Sequence, residues 1–156
     1  MRQNSDLLDE LLTIPQVMGI LGSYDGTKIV YGWKNIHENV DVFCFDLKEK
    51  NSSPFSLTHT PEMTFPVAFY PDSRSVIVIE DKSRNERFQL FKVSLNAPEV
   101  MIPLTEEDPD YFLRGGAVSP DEEYLIFGAN YNFEKQKEIE PTWVYQKNLL
   151  TGDIES

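Results

Sequence analysis

A short turn signature recurs three times along this 156-residue chain and limits its fold more than any other feature. It reads Ser23-Tyr24-Asp25-Gly26, then Tyr70-Pro71-Asp72-Ser73, then Ser119-Pro120-Asp121-Glu122, with the aspartates 47 and 49 residues apart. Each copy leads into an apolar, β-branched run: Lys28-Ile29-Val30-Tyr31, Ser75-Val76-Ile77-Val78-Ile79 and Tyr124-Leu125-Ile126-Phe127. A second aromatic run follows in each unit, around Phe43-Cys44-Phe45, Leu90-Phe91 and Trp143-Val144-Tyr145. Two units also close on the same dipeptide, Leu57-Thr58 and Leu104-Thr105. Matched features in one fixed order define a repeat, and repeats are read before anything else.

Each unit reads as four strands; in the second they are expected near 65–70, 75–80, 87–95 and 99–104. In the turn between the first two strands, aspartate can bond a backbone amide two residues on, and proline presets φ. Asp25, Asp72 and Asp121 are therefore assigned to turn formation, since a ligand site needs one special copy whereas a turn needs the residue every time. Gly26 is the residue best suited to a positive φ there. Four-stranded units of 40–50 residues are propeller blades, which bury their faces only against neighbours. The expected fold is all-β: about three four-stranded antiparallel blades of an incomplete β-propeller, behind a short N-terminal helix. The leader is placed at 1–15, with a helix over 5–14 capped by Ser5 and stopped by Pro15. The partial propeller is placed at 16–156, with blades at about 16–60, 61–108 and 109–156. The last blade is expected to be incomplete, because Gly152-Asp153 falls where the turn into its fourth strand belongs.

Charge and cysteine usage exclude several function classes. The net charge is −12, and residues 97–156 carry 13 acids against 4 bases. Phosphate neutralisation needs clustered Lys and Arg, so no nucleic-acid partner is expected. The single cysteine, Cys44, can form neither an internal disulfide nor a Cys-based zinc site. No run approaches the roughly 18 apolar residues that span a bilayer, and acids interrupt the N-terminal apolar stretch, unlike a secretory signal. The expectation is a cytoplasmic protein without a membrane partner.

No catalytic residues are assigned. The G-x-S-x-G nucleophile elbow is absent, and neither His37 nor His59 stands in a pattern that pairs it with a nucleophile. The acidic run 106–110 lacks the alternation and turn glycine of a calcium loop, so neither a metal nor a cofactor is expected. The third unit does depart from the other two, with twelve residues, 130–141, between its second and third strands. Long loops on rigid scaffolds concentrate binding residues, which makes Tyr131, Phe133, Glu138 and Glu140 candidate contacts for a substrate or partner. An ordinary surface hairpin is the competing reading.

The pattern resembles the N-terminal propeller of the prolyl oligopeptidase family of serine peptidases, in particular its acylaminoacyl-peptidase and dipeptidyl-aminopeptidase-like branch. The residues carrying the resemblance are the leucine-rich stretch into Ile14-Pro15-Gln16-Val17, the run from Gly115 to Asp121 with Tyr124-Leu125-Ile126-Phe127-Gly128, and Ile139-Glu140-Pro141-Thr142-Trp143. It implies a non-catalytic propeller that gates substrate access to a C-terminal α/β-hydrolase domain and docks on it. That domain carries the Ser, Asp and His, and peptides are an indirect substrate of the propeller. None of the triad maps onto this chain. Ser-Pro-Asp turns also occur in TolB-like proteins, so a free-standing interaction module without enzymatic role is the alternative. Large side chains at the two end faces of a three-blade arc, Ile29, Tyr31, Phe43 and Phe45 at one and Leu125, Phe127, Trp143 and Tyr145 at the other, further suggest self-association.

Overall fold

The computed structural model describes residues 14–34, 39–107 and 109–156. Twelve strands form three four-stranded antiparallel sheets. The first holds β1 (Gln16–Gly22), β2 (Lys28–Lys34), β3 (Val40–Asp46) and β4 (Phe55–Ser56). The second holds β5 (Thr64–Phe69), β6 (Ser75–Asp81), β7 (Phe88–Ser94) and β8 (Ala97–Pro103), and the third β9 (Leu113–Val118), β10 (Tyr124–Asn132), β11 (Lys137–Asn148) and β12 (Ile154–Glu155). Strands pair in chain order within each sheet, so each repeat is one meandering blade and the chain is an all-β propeller arc. No helix occurs among the described residues; the helix expected over 5–14 lies almost wholly outside them.

The first strands of the three blades lie side by side, β1 against β5 and β5 against β9. Each bulges at the same place, between Met18 and Leu21, between Pro66 and Ala68, and opposite Ile126–Gly128 in β9. A bulge adds twist to a strand and bends it. Glycine makes the close approach possible at the third blade. A Cβ on Gly116 would stand 2.9 Å from Leu90 Cδ1 of the second blade.

Period-two alternation divides the core into two interblade layers. Val30, Val42 and Cys44 of the first blade meet Val76, Val78 and Val93 of the second. Ile77 and Leu90, on the second blade's other face, meet Leu125, Phe127 and Tyr145 of the third. The central blade is thus covered on both sides, and each fully buried aliphatic contributes roughly 1.5–3 kcal/mol. In the first two blades the recurring Leu-Thr pair ties the end of the fourth strand to the third. Thr58 Oγ1 accepts the Val42 amide and Thr105 Oγ1 the Leu90 amide, both at 2.9 Å.

The alternation also corrects which residues form the end faces. Leu125, Phe127 and Tyr145 were expected on the free face of the third blade, but they point into the second layer and are buried. The same alternation gives the free face to Tyr124, Ile126, Val144 and Gln146. At the other end, Tyr31 and Phe43 stack beside Trp33 and are themselves buried.

Candidate functional site

Three equivalent turns mark one end of the blades. Oδ1 of Asp25, Asp72 and Asp121 accepts the amide two residues on, from Thr27 at 3.0 Å, Arg74 at 2.8 Å and Glu123 at 3.1 Å. The residue after each aspartate is left-handed: Gly26 at φ 66°, Ser73 at 58° and Glu122 at 61°. Two of these positions carry side chains, which then reach the preceding blade. Ser73 Oγ accepts the Asp25 amide and Glu122 Oε1 the Asp72 amide, both at 3.1 Å. The hydroxyl of Ser23 donates to Asp25 Oδ1 at 2.7 Å and, with the Thr27 donors, holds that carboxyl down at about 2. Ser119 does the same for Asp121, lowering it.

The opposite end, where the second and third strands of each blade turn back, holds a groove of about 460 Å³. The end of β6 and the start of β7 supply one wall; the link at Thr60-Pro61-Glu62 supplies the other. Glu80 is held in place: its Oε2 accepts the Thr60 hydroxyl at 2.7 Å and the Thr64 hydroxyl at 2.6 Å. Asp81, nearly buried, accepts the Glu86 amide at 3.0 Å. Lys82 pairs with Glu107 at 3.0 Å across to the next interblade link. Arg87 is different. Its guanidinium lies 4.5 Å from the Phe112 ring centre, and its Nη1 is buried without an acceptor among the described residues. A buried donor left unmade costs about 1–3 kcal/mol, and more when charged. The hairpin between Lys82 and Arg87 puts Ser83, Arg84 and Glu86 in the left-handed region, at φ 55°, 58° and 61°. Strain of this kind clusters at binding sites and switches.

Sequence reasoning passed over this groove. Its one available signal was the basic hairpin Lys82-Ser83-Arg84-Asn85-Glu86-Arg87, three bases in six residues of an acidic chain. The residues it did nominate lie on the third blade. The 130–141 segment is largely strand there, continuing β10 and β11 on either side of a tight turn, because Tyr131 and Phe133 pack inward. Phe133 meets Tyr111, Tyr131 and Tyr145 edge-on with ring centres 4.8–5.2 Å apart, and it also lines a smaller hollow of about 360 Å³. Glu140 is exposed. Glu138 accepts from the Asn130 amide at 2.8 Å, and Asn130 Oδ1 accepts the Phe112 amide at 2.7 Å. Glu138 therefore steadies the loop that carries the aromatic platform under Arg87.

Among the described residues, neither Ser23 nor Cys44 is prepared as a nucleophile. Ser23 Oγ is engaged by its own turn, accepting the Lys28 amide at 2.9 Å. Cys44 is fully buried, and burial pushes its thiol up to about 11, away from the reactive thiolate. His59 is exposed on the link between blades, and His37 lies outside the described residues. Among the described residues no cluster of three or more His, Cys, Asp or Glu could hold a metal ion, and no helix is long and apolar enough to cross a membrane.

No family model and no curated protein matches the sequence. Solved structures do match the fold. A TolB from Acinetobacter baumannii aligns over 88% of this chain and 31% of its own, at 16% identity and a TM-score of 0.64. A prolyl endopeptidase aligns over 90% of this chain and 21% of its own, at 19% identity and a TM-score of 0.61. A puromycin-hydrolysing peptidase of Mycobacterium tuberculosis aligns over 90% of this chain and 28% of its own, at 14% identity and a TM-score of 0.54. The chain thus spans less than a third of each of these proteins. Propellers with and without peptidase names share the arc, as expected of a fold that hosts many functions.

Proposed function

We propose that this chain is a non-catalytic propeller portion of a serine peptidase of the prolyl oligopeptidase kind, in the acylaminoacyl-peptidase and dipeptidyl-aminopeptidase-like branch. In this reading the arc narrows the route of peptides to an α/β-hydrolase domain and docks on that domain. What supports it is the match of two peptidase structures over 90% of this chain, together with the runs Gly115 to Asp121 and Ile139 to Trp143 that carry the family resemblance. The local chemistry agrees, since Ser23 serves its turn and Cys44 is shielded.

Two measurements test this reading. The purified chain should leave aminoacyl and acyl-peptide chromogenic substrates intact; turnover that disappears in Ser23→Ala would overturn it. In the source cells, the polypeptide recognised by an antibody to this arc should label with a fluorophosphonate, which reacts with activated serines. An unlabelled polypeptide would favour the second reading, a TolB-like interaction module, which the match to the Acinetobacter baumannii protein supports at a TM-score of 0.64.

A further inference from the structure

The geometry points to the groove at the hairpin end of the second blade as a binding site for a small monocarboxylate with an apolar body, its carboxylate held by the guanidinium of Arg87. This goes beyond the peptidase reading and does not depend on it. The argument starts from accounting for charges. Within the groove Glu80 has two hydroxyl donors, Asp81 an amide and Glu107 the ammonium of Lys82. Of the two cations that line the groove, Lys82 is paired and the Arg87 side chain has no hydrogen-bonding or ionic partner among the described residues. Its guanidinium is also set in place, with one face against Phe112. The Phe112 backbone is in turn fixed by Asn130. A planar guanidinium held by an aromatic ring offers a fork of donors that matches the two oxygens of a carboxylate. Nη1 is shut off from solvent, so the fork assigned to the ligand is the other edge, made of Nε and Nη2.

The remaining lining narrows the ligand class. Pro61 and Phe91 present apolar surface to the groove, enough to seat a ring or a short aliphatic body beside the charge. Its volume, about 460 Å³, falls within the range of small-molecule sites. Glu62, Glu80, Asp81 and Glu107 outnumber Lys82 and Arg87 along the groove, which penalises each charge on a ligand and a second one most. A singly charged, planar anion is accepted on these terms, and a tetrahedral dianion is not. The hairpin that supplies Arg87 is the strained one, with three left-handed residues of the kind that collect at ligand clamps.

The test is a titration of the full chain followed by nuclear magnetic resonance at the Arg87 Nε–H and the Gln89 side-chain amide. The probes are benzoate, its neutral isostere benzamide, and inorganic phosphate. Benzoate should give saturable shifts at both reporters, and benzamide and phosphate should bind at least about tenfold more weakly, the former for want of a charge-assisted fork. Arg87→Gln should weaken benzoate by about tenfold or more, and Arg87→Lys, which keeps charge and stem but loses the fork, by about threefold or more. Circular dichroism of both variants checks that the sheet content is unchanged. The proposal is overturned by equal affinity for benzoate and benzamide, by tighter binding of phosphate, by full affinity in Arg87→Gln, or by no saturable response to benzoate.

Discussion

Leu90 and Val144 occupy equivalent places, one in the second blade and the other in the third. Each stands in the fifth pair of its hairpin, Leu90 opposite Ile79 and Val144 opposite Gly128, on the face turned toward the following blade. Leu90 is completely buried, whereas Val144 is 68% exposed. Both sit in β-branched, aromatic runs that look alike in the sequence. What separates them is the neighbour: Leu90 has the third blade over it, and Val144 has none among the described residues. A strand pattern states which side chains share a face, but only the next sheet makes that face a core.

The largest effect should appear when the pair is truncated. Leu90→Ala should lose about 2–5 kcal/mol in urea unfolding, while Val144→Ala should stay within about 0.5 kcal/mol, as exposed substitutions do. A comparable loss for Val144→Ala would mean that this face is covered in solution. That outcome bears on self-association, a proposal that rests on this open face. Sedimentation in physiological salt should then show a mass above the monomer that falls on dilution and disappears in Val144→Asp.

Close packing on the covered side gives the next effect. Gly116→Ala places a methyl group 2.9 Å from Leu90 Cδ1 and should cost about 1–3 kcal/mol by overpacking. A neutral result in the same urea assay would show that the second and third blades slide apart easily, weakening the contrast between Leu90 and Val144.

The turns offer a smaller contrast. Ser73→Ala removes the acceptor of the Asp25 amide and should cost about 0.5–1.5 kcal/mol. Ser73→Gly loses the same bond but relieves a left-handed side chain, a penalty of about 1–2 kcal/mol, so its net effect should be close to zero. If the glycine variant were as unstable as the alanine variant, the interblade bond would outweigh the backbone conformation.

The smallest effect is a titration. Hydrogen bonds from Ser23 and Thr27 lower the Asp25 carboxyl from an ordinary 3.8 to about 2, so folding favours its ionised form. That contribution is present above the unfolded value and fades as pH falls through the folded one. Ser23→Ala should raise the Asp25 titration midpoint, observed by carboxyl carbon resonance; an unmoved midpoint would leave the Thr27 donors as its whole cause.

Much of the fold could be read from residue order. The three aspartate turns placed the repeat, and β5 to β8 fall within about two residues of the strands expected from the second unit. Proline and aspartate carry their turn preference in the backbone itself, so no tertiary information was needed. The positive φ at Ser73 and Glu122 was harder to foresee, because glycine announces that conformation and these residues do not. Their side chains are held there by amides of the preceding blade, 48 and 50 residues away.

The functional surface followed the same division. Tyr131 and Phe133 were conspicuous as aromatic loop residues, yet β10 and β11 run on to pair Tyr131 with Glu138 and Asn132 with Lys137, and both aromatics turn inward to an aromatic cluster. Arg87 looked like one of several bases in a charged hairpin. Its significance depends on Phe112, twenty-five residues on and across a blade boundary, and on a buried nitrogen that finds no acceptor among the described residues. Sequence by itself determined the repeat, the turn chemistry and the two faces of every strand, because these depend on neighbours in the chain. Only the tertiary structure decided which face is covered and which charge is left unpaired, because burial and pairing depend on the side chains that other blades bring alongside.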